Sequence, residues 1–147
     1  MLASCPSAAM STLARPIMEE KVFLDPNAVK VVMGLSPADA AKDKAGQAAR
    51  RCLYFSRAPI PHDRDKQRKA GEPFGHLHLG IYGYRREILD RYSALPPSPL
   101  EQLEKLEQLR ALGAGLPMVA AVTGYTGIGI DTEADYQTFV ASRQNKE

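Results

Sequence analysis

A carboxylate, two arginines and a strand bearing histidines are the residues of this chain whose types and spacing could do chemistry. The carboxylate is Asp131, in "TGYTGIGIDTEADY" at 123–136. Glycines at 124, 127 and 129 free the backbone to approach a ligand. Asp131 stands one residue ahead of Thr132, the expected cap of a last helix, where partial positive charge favours an ionised acid. Two readings stay open for it. It is a second cap, or it is one ligand of Mg²⁺, an ion that takes one or two carboxylates and completes its shell with water and phosphate oxygen. Arg57 and Arg64 flank the prolines of "SRAPIPHDRD". Guanidinium forks match carboxylates and phosphates, although either arginine alone is more often a surface residue. In "HLHLGIYGY" at 76–84, His76, His78, Gly80 and Tyr82 share one face and Leu77, Leu79 and Ile81 the other. No third ligand lies near the histidine pair in sequence, so zinc is a poor fit. A polar strand face that hydrogen-bonds a sugar, or an ordinary half-exposed sheet histidine, accounts for it better. Glu107 and Gln108 fall off the leucine stripe of the following helix, and on pattern alone they read as solvated.

Positioning these residues requires both strands and helices. "AMSTLARPI" at 9–17 reads as a strand that stops at Pro16, and "MEEKVF" as one helical turn. Val29 to Val32 and "RCLYFSRA" at 51–58, apolar at Leu53 and Phe55, read as a hairpin. Its connection is enlarged, Ala-rich and broken by Gly34, Pro37 and Gly46. "APIPHDRDKQRKAGEP" has charge without periodicity and is a loop long enough to serve function. Ile88, Leu89, Tyr92 and Leu95 have helical spacing. "PPSPLEQLEKLEQLRALGAG" is the clearest helix: Ser98 caps it, Glu101 completes a capping box, and Leu100, Leu103, Leu106 and Leu109 form the buried stripe. "PMVAAVT" is a short buried strand, and "EADYQTFVASRQ" a last helix. This order predicts a mixed α/β layer structure.

Composition narrows the classes of partner. With 147 residues the chain has the size of one domain. Its net charge of +2 creates no field that calls for nucleic acid or an anionic membrane. The two cysteines match no disulfide framework and no metal spacing, which points to a reducing, cytoplasmic setting. No signal peptide and no apolar run of membrane-spanning length is expected.

Taken together, "DPNAVKVV", "LYFSRAPIPHDRD", "HLGIYGYRREIL", "LPPSPLEQLEKLEQLRAL" and "GIGIDTEADY" resemble, in this order, the 3-deoxy-manno-octulosonate cytidylyltransferases. The resemblance runs from "MSTLARPI" to the last helix, and its most specific pieces are "SRAPIP" and "LEQLR". It implies a mixed-sheet α/β/α sandwich of the nucleotide-diphospho-sugar transferase type, homodimeric, with CTP and the acid sugar 3-deoxy-manno-octulosonate (Kdo) as substrates. It implies Mg²⁺ held by two aspartates, one of which corresponds to Asp131. Asp131 and Arg57 are the residues it implies for catalysis. Arg57 and Arg64 would face anionic groups of sugar and nucleotide, and His78, Glu107 and Gln108 would line the sugar pocket, with Tyr82 beside them.

Two family features do not occur in this sequence: the opening nucleotide loop with Arg, Gly and Lys, and a "GDEP"-like segment carrying the other aspartate. The expectation is therefore a single C-terminal portion, 1–147, without the N-terminal nucleotide-binding half and with a mobile insertion at 35–50. Such a portion should show an uncovered sheet edge and apolar surface. Two other readings stand beside this one: a non-catalytic dimerisation or interaction fragment, and an activating enzyme for another acid sugar.

Overall fold

The computed structural model describes residues 1–38, 40–42, 48–124, 133, 136, 137, 140 and 141. Asp131, Thr132 and part of the 35–50 connection lie outside the described residues.

The elements are β1 (Met10–Ile17), α1 (Glu20–Leu24), β2 (Lys30–Met33), β3 (Arg50–Ser56), β4 (Gly75–Tyr84), α2 (Arg86–Ser93), α3 (Pro99–Glu104), α4 (Gln108–Gly113) and β5 (Met118–Val122). A 3₁₀ turn at Leu2–Ser4 precedes them. The fold is mixed α/β, as the order of patterns implies. β1 runs parallel to β5 and antiparallel to β4, and β3 is antiparallel to both β2 and β5.

The strands close into a ring in the order β1-β4-β2-β3-β5. Each strand therefore has a neighbour on both sides among the described residues, which corrects the expectation of an uncovered edge. The closure is thin in places: β2 meets β4 through Lys30 opposite Leu77, supported by the His78 amide donating to the Val29 carbonyl at 2.8 Å. Apolar surface is nonetheless exposed, at Leu35 (89%), Leu103 (80%) and Ile81 (60%).

Two irregularities decide which side chains point inward. In the β2–β3 hairpin Val32 faces Tyr54 but Met33 faces Cys52, so Leu53 is an extra, unpaired residue. Its side chain is turned out and 54% exposed, while Phe55 and Cys52 are buried. Of the run's two apolar positions, Leu53 and Phe55, the bulge thus sends only Phe55 into the core. On β4 the pairing with β1 slips, since Thr12 faces Tyr82 but Leu13 faces Leu79, leaving Gly80 and Ile81 unpaired; the core takes the polar face, with Tyr82 and Tyr84 packed on the main cluster and Ile81 facing solvent.

The long helix expected from the leucine stripe is two short ones. Lys105 adopts a left-handed backbone (φ 54, ψ 47) and turns the chain between α3 and α4. Leu106 and Leu109 are buried, Leu103 and Leu100 exposed. The capping box of Ser98 and Glu101 is present as expected, with Pro99 in the first turn. The main core joins Met10, Ala14, Val31, Phe55 and Met118 of the ring to Ile88, Leu109 and Ala111 of the helices and Leu106 of the α3–α4 elbow.

Candidate functional site

The site is built from one face of β4 and the elbow between α3 and α4. A ladder of rings runs along it. Phe55 of β3 meets His78 edge-on with centroids 4.9 Å apart, His78 meets Tyr82 at 5.3 Å, Tyr82 meets Tyr84 at 6.1 Å, and Tyr84 meets Tyr92 of α2 at 5.9 Å. Tilted and edge-on rings at these separations attract beyond their burial. Tyr92 ends the ladder by donating its hydroxyl to the Glu107 carbonyl at 2.9 Å, which ties the elbow to the strand.

His78 Nε2 lies 2.9 Å from the Thr12 hydroxyl oxygen. That hydroxyl has one proton, and the nearest carbonyl acceptor for it is that of Ile81 at 2.8 Å. With the proton given to Ile81, the Thr12 oxygen accepts from a protonated Nε2, and a ring kept neutral by burial then offers Nδ1 as an acceptor. Burial pushes the His78 pKa down from 6.5 to about 4. Burial first, and then the charges of Glu107 and the neighbouring Tyr84, Tyr92 and Cys52, pushes the Tyr82 hydroxyl up, so it stays protonated and able to donate at neutral pH.

The His78 shift makes stability depend on pH. As pH falls from 6.5 towards 4, the unfolded imidazole takes up a proton that the folded one refuses. This contribution is thus complete above 6.5 and is lost on acidification, by about 3 kcal/mol across the window. Urea unfolding at pH 7 and pH 4.5 should show the loss, and His78→Gln should flatten that part of the profile. An unchanged profile in the variant would refute the assignment.

Gln108 opens α4 and is 3% exposed, one of the few buried polar side chains of the described residues. Its amide is not fully cut off from water without a partner; among the described residues only Arg15 Nε is. Glu107 beside it is exposed at the rim. An open groove of about 370 Å³ runs along the elbow between Pro97, Glu101, Lys105, Glu107 and Arg110. A larger one, about 430 Å³, is lined by Leu35, Pro37, Arg51 and Leu53 and touches none of the expected site residues.

Of the residues singled out in the sequence, the structure brings together His78 and Tyr82, with Glu107 near enough for its charge to act on the Tyr82 hydroxyl; Gln108 follows Glu107 at the start of α4. The arginines are elsewhere occupied. Arg57 Nε donates to the Glu104 carbonyl at 2.8 Å and one terminal nitrogen to that of Pro26 at 3.0 Å. The other terminal nitrogen reaches the Lys105 carbonyl at 3.5 Å. Its guanidinium closes backbone instead of facing an open anion site. Arg64 has a side chain 90% exposed in the 57–74 loop, 3.8 Å from Asp65, an ion pair of little energetic weight. Asp131 lies outside the described residues. Among the described residues no group of three or more His, Cys, Asp or Glu could hold a metal ion, and no helix is long and apolar enough to cross a membrane. Thr12, Tyr84 and Tyr92 were not signalled by the sequence, because their role depends on which strands become neighbours.

Known proteins give this geometry its context. The profile of a family described as "Cytidylyltransferase" matches residues 1–119. The 3-deoxy-manno-octulosonate cytidylyltransferase of Thermodesulfovibrio yellowstonii is 44% identical over 131 residues, covering 88% of this chain and 46% of the relative. That of Proteus mirabilis is 44% identical over 138 residues, covering 91% and 49%. The chain spans about half the length of the curated relatives it matches. A solved structure of CMP:2-keto-3-deoxy-manno-octonic acid synthetase complexed with CTP superposes with a TM-score of 0.82 at 33% identity, covering 99% of this chain and 53% of that one. With a family profile matched over most of its length, and a fold and sequence shared with these relatives, the chain belongs to the cytidylyltransferase family.

Proposed function

We propose that this chain supplies the acid-sugar side of a Kdo cytidylyltransferase, of the nucleotide-diphospho-sugar transferase type. Such an enzyme transfers CMP from CTP to the anomeric hydroxyl of Kdo in lipopolysaccharide biosynthesis. The sugar oxygen bonds to the α-phosphorus as the bond to the departing pyrophosphate breaks. The names of the relatives support the reaction and the substrates. The observation that carries the reading to particular residues is the His78–Tyr82 pair on β4, with the α3–α4 elbow tied to it through Tyr92 and with Gln108 opening α4. A side-chain amide with donors and acceptor to offer can pair with the hydroxyls of a polyhydroxylated ligand.

In this reading the Gln108 amide, His78 Nδ1 and the Tyr82 hydroxyl orient the sugar, and Glu107 stands at the rim. Holding one reactant in an attacking geometry accounts for much of the acceleration in such transfers. Mg²⁺, when bound, would neutralise charge on the triphosphate, and Asp131 is the residue of this chain we propose to hold it. The described residues add no set of carboxylates for the ion. Both cysteines are buried and neither is in a disulfide, in keeping with a cytoplasmic setting. The working enzyme is proposed to be a homodimer.

Calorimetric titration of the chain with Kdo, N-acetylneuraminate and CTP tests the reading. Kdo is expected to bind at least about tenfold more tightly than N-acetylneuraminate, a discrimination of roughly 1.4 kcal/mol. Binding of neither acid sugar would leave the chain without a sugar site. A preference for N-acetylneuraminate would move it to another acid sugar.

A further inference from the structure

A buried polar knot joins the end of β3 to the α3–α4 elbow, and none of its members was placed in the sugar pocket by the geometry. Ser56, 2% exposed, donates its hydroxyl to Glu104 Oε1 at 2.6 Å, and the Arg57 amide donates to Glu104 Oε2 at 2.9 Å. The same carboxylate is thus gripped on both oxygens. Arg57 then reaches around it, with Nε on the Glu104 carbonyl and a terminal nitrogen on the Pro26 carbonyl. Lys30 lies beneath, fully buried, with Nζ donating to the Asp25 carbonyl at 2.8 Å. The Glu104 carboxylate and Asp25 oppose the effect of burial on its ammonium.

What this knot grips is the last residue of α3. The next residue, Lys105, holds a left-handed backbone that a non-glycine residue adopts at a cost of about 1 kcal/mol or more. Such a conformation persists only where its surroundings determine it. Glu107 and Gln108 follow two and three residues on, so the direction of the elbow fixes where the Gln108 amide points.

We propose that Arg57 and Glu104 are positioning residues: they clamp the α3–α4 elbow to the end of β3 and so set the orientation of Gln108 in the sugar pocket. This rests on the reading of that pocket given above. It also gives Arg57 a task different from direct contact with an anionic substrate. Charge alone does not suffice for it, because a single ammonium cannot donate in the planar fork that spans the Glu104 and Pro26 carbonyls.

Arg57→Lys and Glu104→Gln test the clamp, with Ile17→Val as a control of pure core destabilisation. Each variant is to be measured for thermal midpoint, for Kdo affinity, and for the side-chain amide resonances of Gln108. Both clamp variants are expected to lose about 3 °C or more, comparable with the control. They should also bind Kdo at least about tenfold more weakly and displace the Gln108 resonances. Ile17→Val should do neither. Wild-type Kdo affinity and unmoved Gln108 resonances in the clamp variants would overturn the proposal. If the unsubstituted chain binds no Kdo, the pocket reading fails, and the Gln108 resonances alone decide the clamp: displaced, it stands; unmoved, it falls.

Discussion

Replacing Gln108 by leucine is expected to weaken the affinity for Kdo by about a hundredfold while changing stability by less than about 1 kcal/mol. The Gln108 side chain is 3% exposed at the start of α4. Among the described residues only Arg15 Nε is fully cut off from water without a partner, so the loss of the Gln108 amide relieves no buried orphan. A ligand hydroxyl that pairs with the amide loses its partner in the variant. A calorimetric titration and a melting curve on the same variant check both effects together. A variant that binds the sugar unchanged would make Gln108 an ordinary core residue.

Replacing Phe55 by alanine should have the largest effect on stability, about 4 kcal/mol, out of a total that for a domain of this kind is about 5–15 kcal/mol. Phe55 is fully buried at the centre of the ring of strands. The loss includes the cavity left behind, since β3 is held in register against β2 and cannot collapse onto it. There is also an electrostatic readout. Phe55 covers one edge of His78, so opening a cavity there should admit water and raise the His78 pKa from about 4 towards its ordinary value. Urea unfolding and the pH titration of the His78 ring resonances measure the two effects. A loss under about 1 kcal/mol would mean that the ring is not the keystone of the core.

Much of the architecture was legible because its signals are local. Ser98, Pro99 and Glu101 mark the start of α3 by chemistry confined to four residues, and the capping box is there. The strands follow from alternation and turn residues, and the mixed α/β class follows from their order. What could not be read depends on partners distant in sequence. The leucine stripe gives no sign that Lys105 turns left-handed, because the hydrogen bonds that meet the chain there come from Ser56 and Arg57, distant in sequence. Leu53 looks like a core residue until the hairpin register inserts it as a bulge. The face of β4 that enters the core is the one carrying His78 and Tyr82, chosen by Phe55, Thr12 and Tyr92 from three other elements.

The candidate site was legible to a similar degree. Gln108 and Glu107 have no pattern of their own and were named through resemblance alone, yet the Glu107 carbonyl is tied to the ring ladder of β4 by the Tyr92 hydroxyl. Arg57 was named for its charge, and the structure employs its geometry. Asp131, the acid with the clearest sequence rationale, lies outside the described residues, so its part in binding Mg²⁺ stands as a proposal.

The most direct measurement is a heteronuclear NMR titration of the chain with Kdo, following the Gln108 side-chain amide, the His78 ring and the amides of β4. A Kdo pocket at the elbow requires saturable shifts at all three, with a common affinity, and no such response to gluconate. Saturable shifts confined to other parts of the chain, or none at all, would contradict it.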